Sequence, residues 1–204
     1  SCDDIYYGET EDYTITLTPA VTSMSYVSST ATQNNISTVL PGTADAEIIG
    51  VQIVTSGALS PFAATSFTIN STGSSNFSAD VSNVKIYYTG NSAVFNTANL
   101  FGSATTLSSP ITGNQVLSAG TNYFWVAYDV AAGANLGNFV DAQCTQIVMS
   151  GAGGTQTPYL TAPSGSREIN LCVPVYGTPC SSGDYIDIFT LNTLSNLYSG
   201  CNGQ

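Results

Sequence analysis

The chain has no histidine and only two basic residues, Lys85 and Arg167, against thirteen acidic ones, for a net charge of −11. Two cations cannot build the basic patch that phosphate binding needs, so nucleic acid is excluded as a partner, and anionic membrane surfaces with it. Without histidine there is no Ser-His-Asp triad, and no GxSxG elbow occurs. No CxxC pair is present either, so a zinc site has neither its thiolate pairs nor its imidazoles. Long apolar runs are missing, and no membrane-spanning segment or leader peptide is expected. The chain begins at Ser1-Cys2 rather than at a methionine, which suits a processed or excised piece of a larger secreted protein.

Charge of any sign is scarce. Only 7% of residues are charged, while 43% are hydrophobic, against roughly 25% charged in an ordinary soluble domain. Ser, Thr, Asn and Gly supply the polar surface instead, a composition that favours strands and tight turns over helices. No stretch combines helical periodicity with caps at both ends, so no long helix is expected.

The apolar residues fall in short runs. Residues 13–17 alternate Tyr, Ile and Leu with Thr, as a half-buried strand does. The run 46–55 is mostly apolar and reads as a central strand. Runs at 66–70 and 81–89 follow, divided by the Ser/Gly-rich 71–76. Within the second, Val84, Ile86 and Tyr88 share one face and Lys85 and Tyr87 the other, which puts Lys85 on the solvent side and argues against an isopeptide cross-link there. Residues 121–130 form the most aromatic run and hold Trp125, the single tryptophan. A run at 139–149 ends the series. Gly90-Asn91, Thr112-Gly113-Asn114 and Ala119-Gly120 are the expected turns. This spacing predicts an all-β fold, an antiparallel Ig-like or jelly-roll-like β-sandwich with β extensions at both ends, Trp125 being buried in it. Three segments are expected: 1–19, 20–168 and 169–204. The last carries short strands at 168–173 and 184–191 around a Pro/Gly/Cys loop, and is too small to bury a core alone.

The five cysteines suit disulfides in an oxidising compartment. Cys172, Cys180 and Cys201 crowd the tail, where at least one bridge is expected. Cys2 and Cys144 complete the candidate set. The odd number leaves one thiol free or bonded outside the chain, and connectivity stays open.

Some chemistry can be weighed directly. Asp3, Asp4, Glu9, Glu11 and Asp12 crowd one segment with almost no basic partner, so a calcium ion would relieve their repulsion. Yet no DxDxDG loop is present and Gly151-Ala152-Gly153-Gly154 lacks the aspartate of a calcium-binding nonapeptide. An acidic surface turn is the simpler reading, and no cofactor is expected. The carboxylate pairs Glu9/Glu11 and Asp184/Asp187 read as solvated loop acids rather than a glycosidase pair. Tyr87, Tyr88, Tyr123 and Tyr128 are the candidates for a sugar-stacking platform, against the simpler reading as core and cross-strand pairs.

Two resemblances complete the reading. Gly8-Glu9-Thr10-Glu11-Asp12-Tyr13-Thr14-Ile15 resembles the closing motif of the GEVED domain, with Thr10 where valine is usual. Cys172-Val173-Pro174-Val175-Tyr176, Gly183-Asp184-Tyr185-Ile186 and Ser199-Gly200-Cys201 resemble its opening. Residues 26–168 resemble the sialidase-associated (BNR-repeat-associated) N-terminal module, through Ser28-Ser29-Thr30-Ala31-Thr32-Gln33, Ile48-Ile49-Gly50-Val51-Gln52-Ile53, Ile86-Tyr87-Tyr88-Thr89-Gly90, Gly120-Thr121-Asn122-Tyr123-Phe124-Trp125 and Gly165-Ser166-Arg167. The resemblance implies a non-catalytic module of a large secreted protein of Bacteroidetes-type bacteria, since sialidases hold the sugar carboxylate with several arginines and this chain has one. The expected function is a structural repeat of an extracellular, cell-surface fibre or adhesin, joined head to tail through complementary ends to other copies or to adjacent domains. Cys2 is then a candidate for a bond across that junction. The alternative is a carbohydrate-binding accessory module of a secreted glycan-degrading protein, with surface glycans as partners.

Overall fold

The computed structural model describes residues 21–171 and, by backbone alone, two short strands beyond them. The segments carrying the GEVED-like motifs, the acidic cluster Asp3, Asp4, Glu9, Glu11 and Asp12, and Cys2, Cys172, Cys180 and Cys201 lie outside the described residues. The chain divides into two compact units, Ser1–Asn170 and Leu171–Gln204. In the second, Ile188–Leu191 and Leu194–Leu197 pair antiparallel as a hairpin. Its second strand has no counterpart in the sequence reading.

The first unit is an antiparallel β-sandwich. One sheet has five strands in the order β1 (Ser25–Thr32), β2 (Ala46–Ser56), β7 (Gly120–Val130), β4 (Val81–Tyr88) and β5 (Leu100–Ala104). The other has four: β10 (Gly154–Gln156), β9 (Gln143–Met149), β3 (Ala63–Asn70) and β6 (Ile111–Val116). Two-residue strands β8 (Phe139–Val140) and β11 (Arg167–Glu168) close one end. The helical content among the described residues is one α-turn, Phe77–Asp80, and one 3₁₀ turn, Gly151–Gly153.

Alternation explains the layers. On β7, Phe124, Val126, Tyr128 and Val130 enter the main core between the sheets, with Val51 and Ile53 of β2, Val84 and Ile86 of β4, and Phe67, Ile69 and Ile147 from the facing sheet. Rings cross the layers: Phe67 lies 5.1 Å edge-on to Phe101 and 4.8 Å from Phe124. Ile169 is fully buried. Its N–H donates to Asn138 and its carbonyl accepts from Gly137, so the sandwich runs through that residue rather than ending at 168.

One expected turn is a strand. Thr112-Gly113-Asn114 lies inside β6, because the two sheets meet edge to edge there. A Cβ on Gly113 would stand 2.3 Å from the Phe101 carbonyl oxygen, and one on Gly102 would stand 2.3 Å from that of Thr112. Both glycines serve close approach of two backbones, not reversal of the chain. Gly113→Ala should therefore force β5 from β6 and cost about 2 kcal/mol. Gly133→Ala, with nothing within 4 Å, should change stability by less than about 0.5 kcal/mol. Urea denaturation of the two variants checks the contrast.

Candidate outer-face binding site

The remaining residues of β7 face outward. Trp125 and Ala127 join Tyr87 of β4 in a second buried cluster, flanked by Tyr123 and Phe95. Trp125 leans over Gly50, its directly paired residue on β2, where a Cβ would be 3.0 Å from the indole. Its Nε1–H donates to Thr89 Oγ1 at 2.8 Å. The Tyr123 ring lies nearly parallel to the indole, at 14° with centroids 6.3 Å apart. Phe95, from the loop after β4, meets Trp125 and Tyr87 edge-on.

Beside the rings sits an ion cluster. Lys85 Nζ contacts Asp45 at 2.8 Å and Asp129 at 2.9 Å. The Tyr87 hydroxyl donates to Asp45 at 2.6 Å, and the Asp45 N–H donates to Asp129 at 2.9 Å. Burial opposes charge on the lysine, but the two carboxylates outweigh it and hold its pKa well above the ordinary value. Burial likewise opposes charge on Asp45, where hydrogen bonds from Lys85 and Tyr87 win and lower the pKa. Burial and the bond to Asp45 push the Tyr87 phenol up to about 12.

Lys85 is thus not a free solvent-side lysine: its side chain is only 19% exposed. The alternation placed it on the correct face but said nothing of Asp45 and Asp129, which come from distant segments. Amide formation requires a neutral amine and a protonated carboxyl, and the contact between Lys85 and Asp45 stabilises the opposite states.

The four tyrosines do not form one platform. Tyr128 is fully buried in the main core, and Tyr88 packs against that core. Only Tyr87 and Tyr123 reach the outer face. Trp125 is buried as expected. Cys144 leaves the disulfide set: it is a free, buried thiol, pushed up to about 12 by burial. Among the described residues no three His, Cys, Asp or Glu side chains converge on a metal position.

The sequence reading missed three neighbours of the rings. Gln52 of β2 pairs directly with Tyr123, and Thr30 of β1 pairs with Gln52. Thr32 lies beside Gly50, its Oγ1 3.1 Å from where a Cβ would stand. The signal for Gln52 was a polar residue at an outward position of a mostly apolar run.

Among the described residues, three carboxyls have shifted pKa values. Burial raises the Asp141 pKa, partly offset by the Ala142 N–H. Burial also raises that of Glu47, opposed by Asn35 and Arg167. A raised folded pKa gives stability that is present below the unfolded value and lost as pH rises through the folded one. The lowered pKa of Asp45 acts in reverse, its contribution vanishing as pH falls through the folded value. Relief of the net negative charge adds to the first effect. Stability should therefore rise as the pH falls from neutral toward about 4 and decline below that, a profile that urea midpoints across that range would trace.

Residues 27–152 match the family described as the N-terminal domain of BNR-repeat neuraminidase. Among solved structures, "Hadza microbial sialidase Hz136" is similar, with a TM-score of 0.52 and 15% identity over 67% of this chain and 30% of that one. At that identity the likeness speaks for the sandwich fold. This chain spans less than a third of that sialidase. No curated protein matches. With more than half of its length matched, the chain belongs to the family of N-terminal domains of BNR-repeat neuraminidases.

Proposed function

We propose that this chain is a non-catalytic accessory module of a secreted glycan-degrading protein. The observation that carries the reading is the family match across the sandwich. Electrostatics agree with a non-catalytic role. Arg167, the one arginine, is buried and donates to the backbone carbonyls of Ser37, Thr38 and Glu47. It is turned inward and cannot receive a sugar carboxylate. Lys85, the other base, is held between two aspartates. The head-to-tail fibre reading rests on chain ends outside the described residues, and nothing in the sandwich favours it.

Deleting this module from the full-length polypeptide tests the reading. Hydrolysis of a polymeric or surface-bound glycoconjugate should fall about tenfold, through lost effective concentration. Turnover of a small soluble glycoside should stay unchanged. A full-length polypeptide that hydrolyses no glycoside, or equal loss on both substrates, overturns it.

A further inference from the structure

We infer that the outer face of the five-stranded sheet around Tyr123 is a binding site for a neutral sugar, with the Tyr123 ring as the stacking surface and Gln52, Thr30 and Thr32 as hydrogen-bonding flank. The biological setting rests on the accessory-module reading; the site itself rests on geometry.

Four observations converge. First, Tyr123 is half-buried, with its ring braced nearly parallel to Trp125. A fixed aromatic face carries partial negative charge and suits the polarised C–H groups of a pyranose. Second, direct pairing aligns Thr30, Gln52 and Tyr123 in one row across β1, β2 and β7. At about 4.8 Å between strands the row spans about 10 Å. Third, three of the four groups are available, the Thr30 hydroxyl alone donating to a backbone carbonyl, that of Ala31. Among the described residues, the Gln52 amide, the Thr32 hydroxyl and the Tyr123 hydroxyl make no side-chain hydrogen bond, whereas Trp125 Nε1, Tyr87 and Lys85 are all engaged. An amide with two donors and an acceptor, beside hydroxyls that do both, matches the vicinal hydroxyls of a sugar. Fourth, glycine at position 50 lets the indole lie down between Thr32 and Tyr123 rather than stand above them.

Charge narrows the ligand class. An anionic sugar such as a sialic acid would bring a carboxylate to a protein of net charge −11 whose two bases are both engaged. That carboxylate would find repulsion and no partner. The specificity is thus for an uncharged sugar of the glycan, not for its acidic terminus.

Titration of the 204-residue chain with lactose, N-acetyllactosamine, cellobiose, mannobiose and free N-acetylneuraminic acid tests this. The readouts are Trp125 fluorescence and amide chemical shifts. At least one neutral disaccharide should bind saturably, shifting the amides of Tyr123 and Gln52, and N-acetylneuraminic acid should not bind. Tyr123→Ala should abolish binding, and Gln52→Ala should weaken it about tenfold. Shift mapping on the unsubstituted chain keeps the test decisive if Tyr123→Ala folds poorly. No neutral sugar bound, shifts confined to another surface, or binding of the sialic acid alone overturns the site. A deletion effect in the full-length polypeptide without sugar binding here would sink this inference and leave the accessory reading standing. Sugar binding with no deletion effect would do the reverse.

Discussion

Arg167→Met should lower the unfolding free energy by about 3 kcal/mol, and with it the thermal midpoint by roughly 6–12 °C. Arg167 Nε donates to the Ser37 carbonyl at 2.8 Å, one terminal nitrogen to Glu47 at 2.8 Å, and the other to Thr38 at 3.3 Å. One side chain thereby satisfies acceptors from the 37–38 segment and from β2. β11 itself pairs with β8, so the guanidinium ties three chain segments at one end of the sandwich. Methionine keeps much of the packing volume but donates nothing, stranding carbonyls that water reaches poorly. Burial lowers the Arg167 pKa, opposed by the nearby Glu47 carboxylate. Removing the cation also takes away that favourable interaction for Glu47. Arg167→Lys should recover only part of the loss, because a single ammonium cannot reproduce the planar fork. Thermal unfolding followed by circular dichroism measures all three proteins. A midpoint for Arg167→Met within about 2 °C of the parent would show that these bonds contribute little net stability.

The legible part of the fold was the part whose sequence alternates. β2, β3, β4, β7 and β9 carry apolar residues at strand period and were visible as runs. β1, β5 and β6 were not. Ser25–Thr32 is nearly all Ser, Thr and small residues because one of its faces is solvated. Ile111–Val116 looked like a turn because Gly113 does the work of a tertiary contact that local pattern cannot encode. The same holds for the site. Parity along β4 and β7 separates Tyr87 and Tyr123 from Tyr88 and Tyr128, so that division was available in the sequence. The partnership of Lys85 with Asp45 and Asp129 was not, since it joins positions 40 and 44 residues apart. Phe95 comes from a loop with no periodicity at all. Pairing register, rather than composition, brings Thr30 and Gln52 beside Tyr123.

The two faces of β7 lead to a second large effect. Phe67→Ala should cost about 4 kcal/mol and lower the thermal midpoint by roughly 8–16 °C, while leaving Trp125 fluorescence below the transition unchanged. Phe67 of β3 is fully buried and is the ring that joins the sheets, contacting Phe101 of β5 and Phe124 of β7. Phe124 in turn lies 4.8 Å from Tyr88 and 5.7 Å from Phe101. Truncation removes the ring that the facing sheet contributes to this four-ring group and leaves a cavity. The surrounding strands cannot close over it without breaking register. Phe67→Leu, which fills most of that volume, should cost about 1–2 kcal/mol. Trp125 belongs to a different cluster on the opposite face of the same strand, and its supports, Gly50, Thr89, Phe95 and Tyr123, all lie on that side. The β7 backbone stands between the two groups and is bonded to both neighbours along its length, so a cavity behind it should not reorient the indole. A shifted Trp125 emission maximum in folded Phe67→Ala would show that the core and the outer face are coupled through β7. The outer-face rings would then depend on the packing between the sheets.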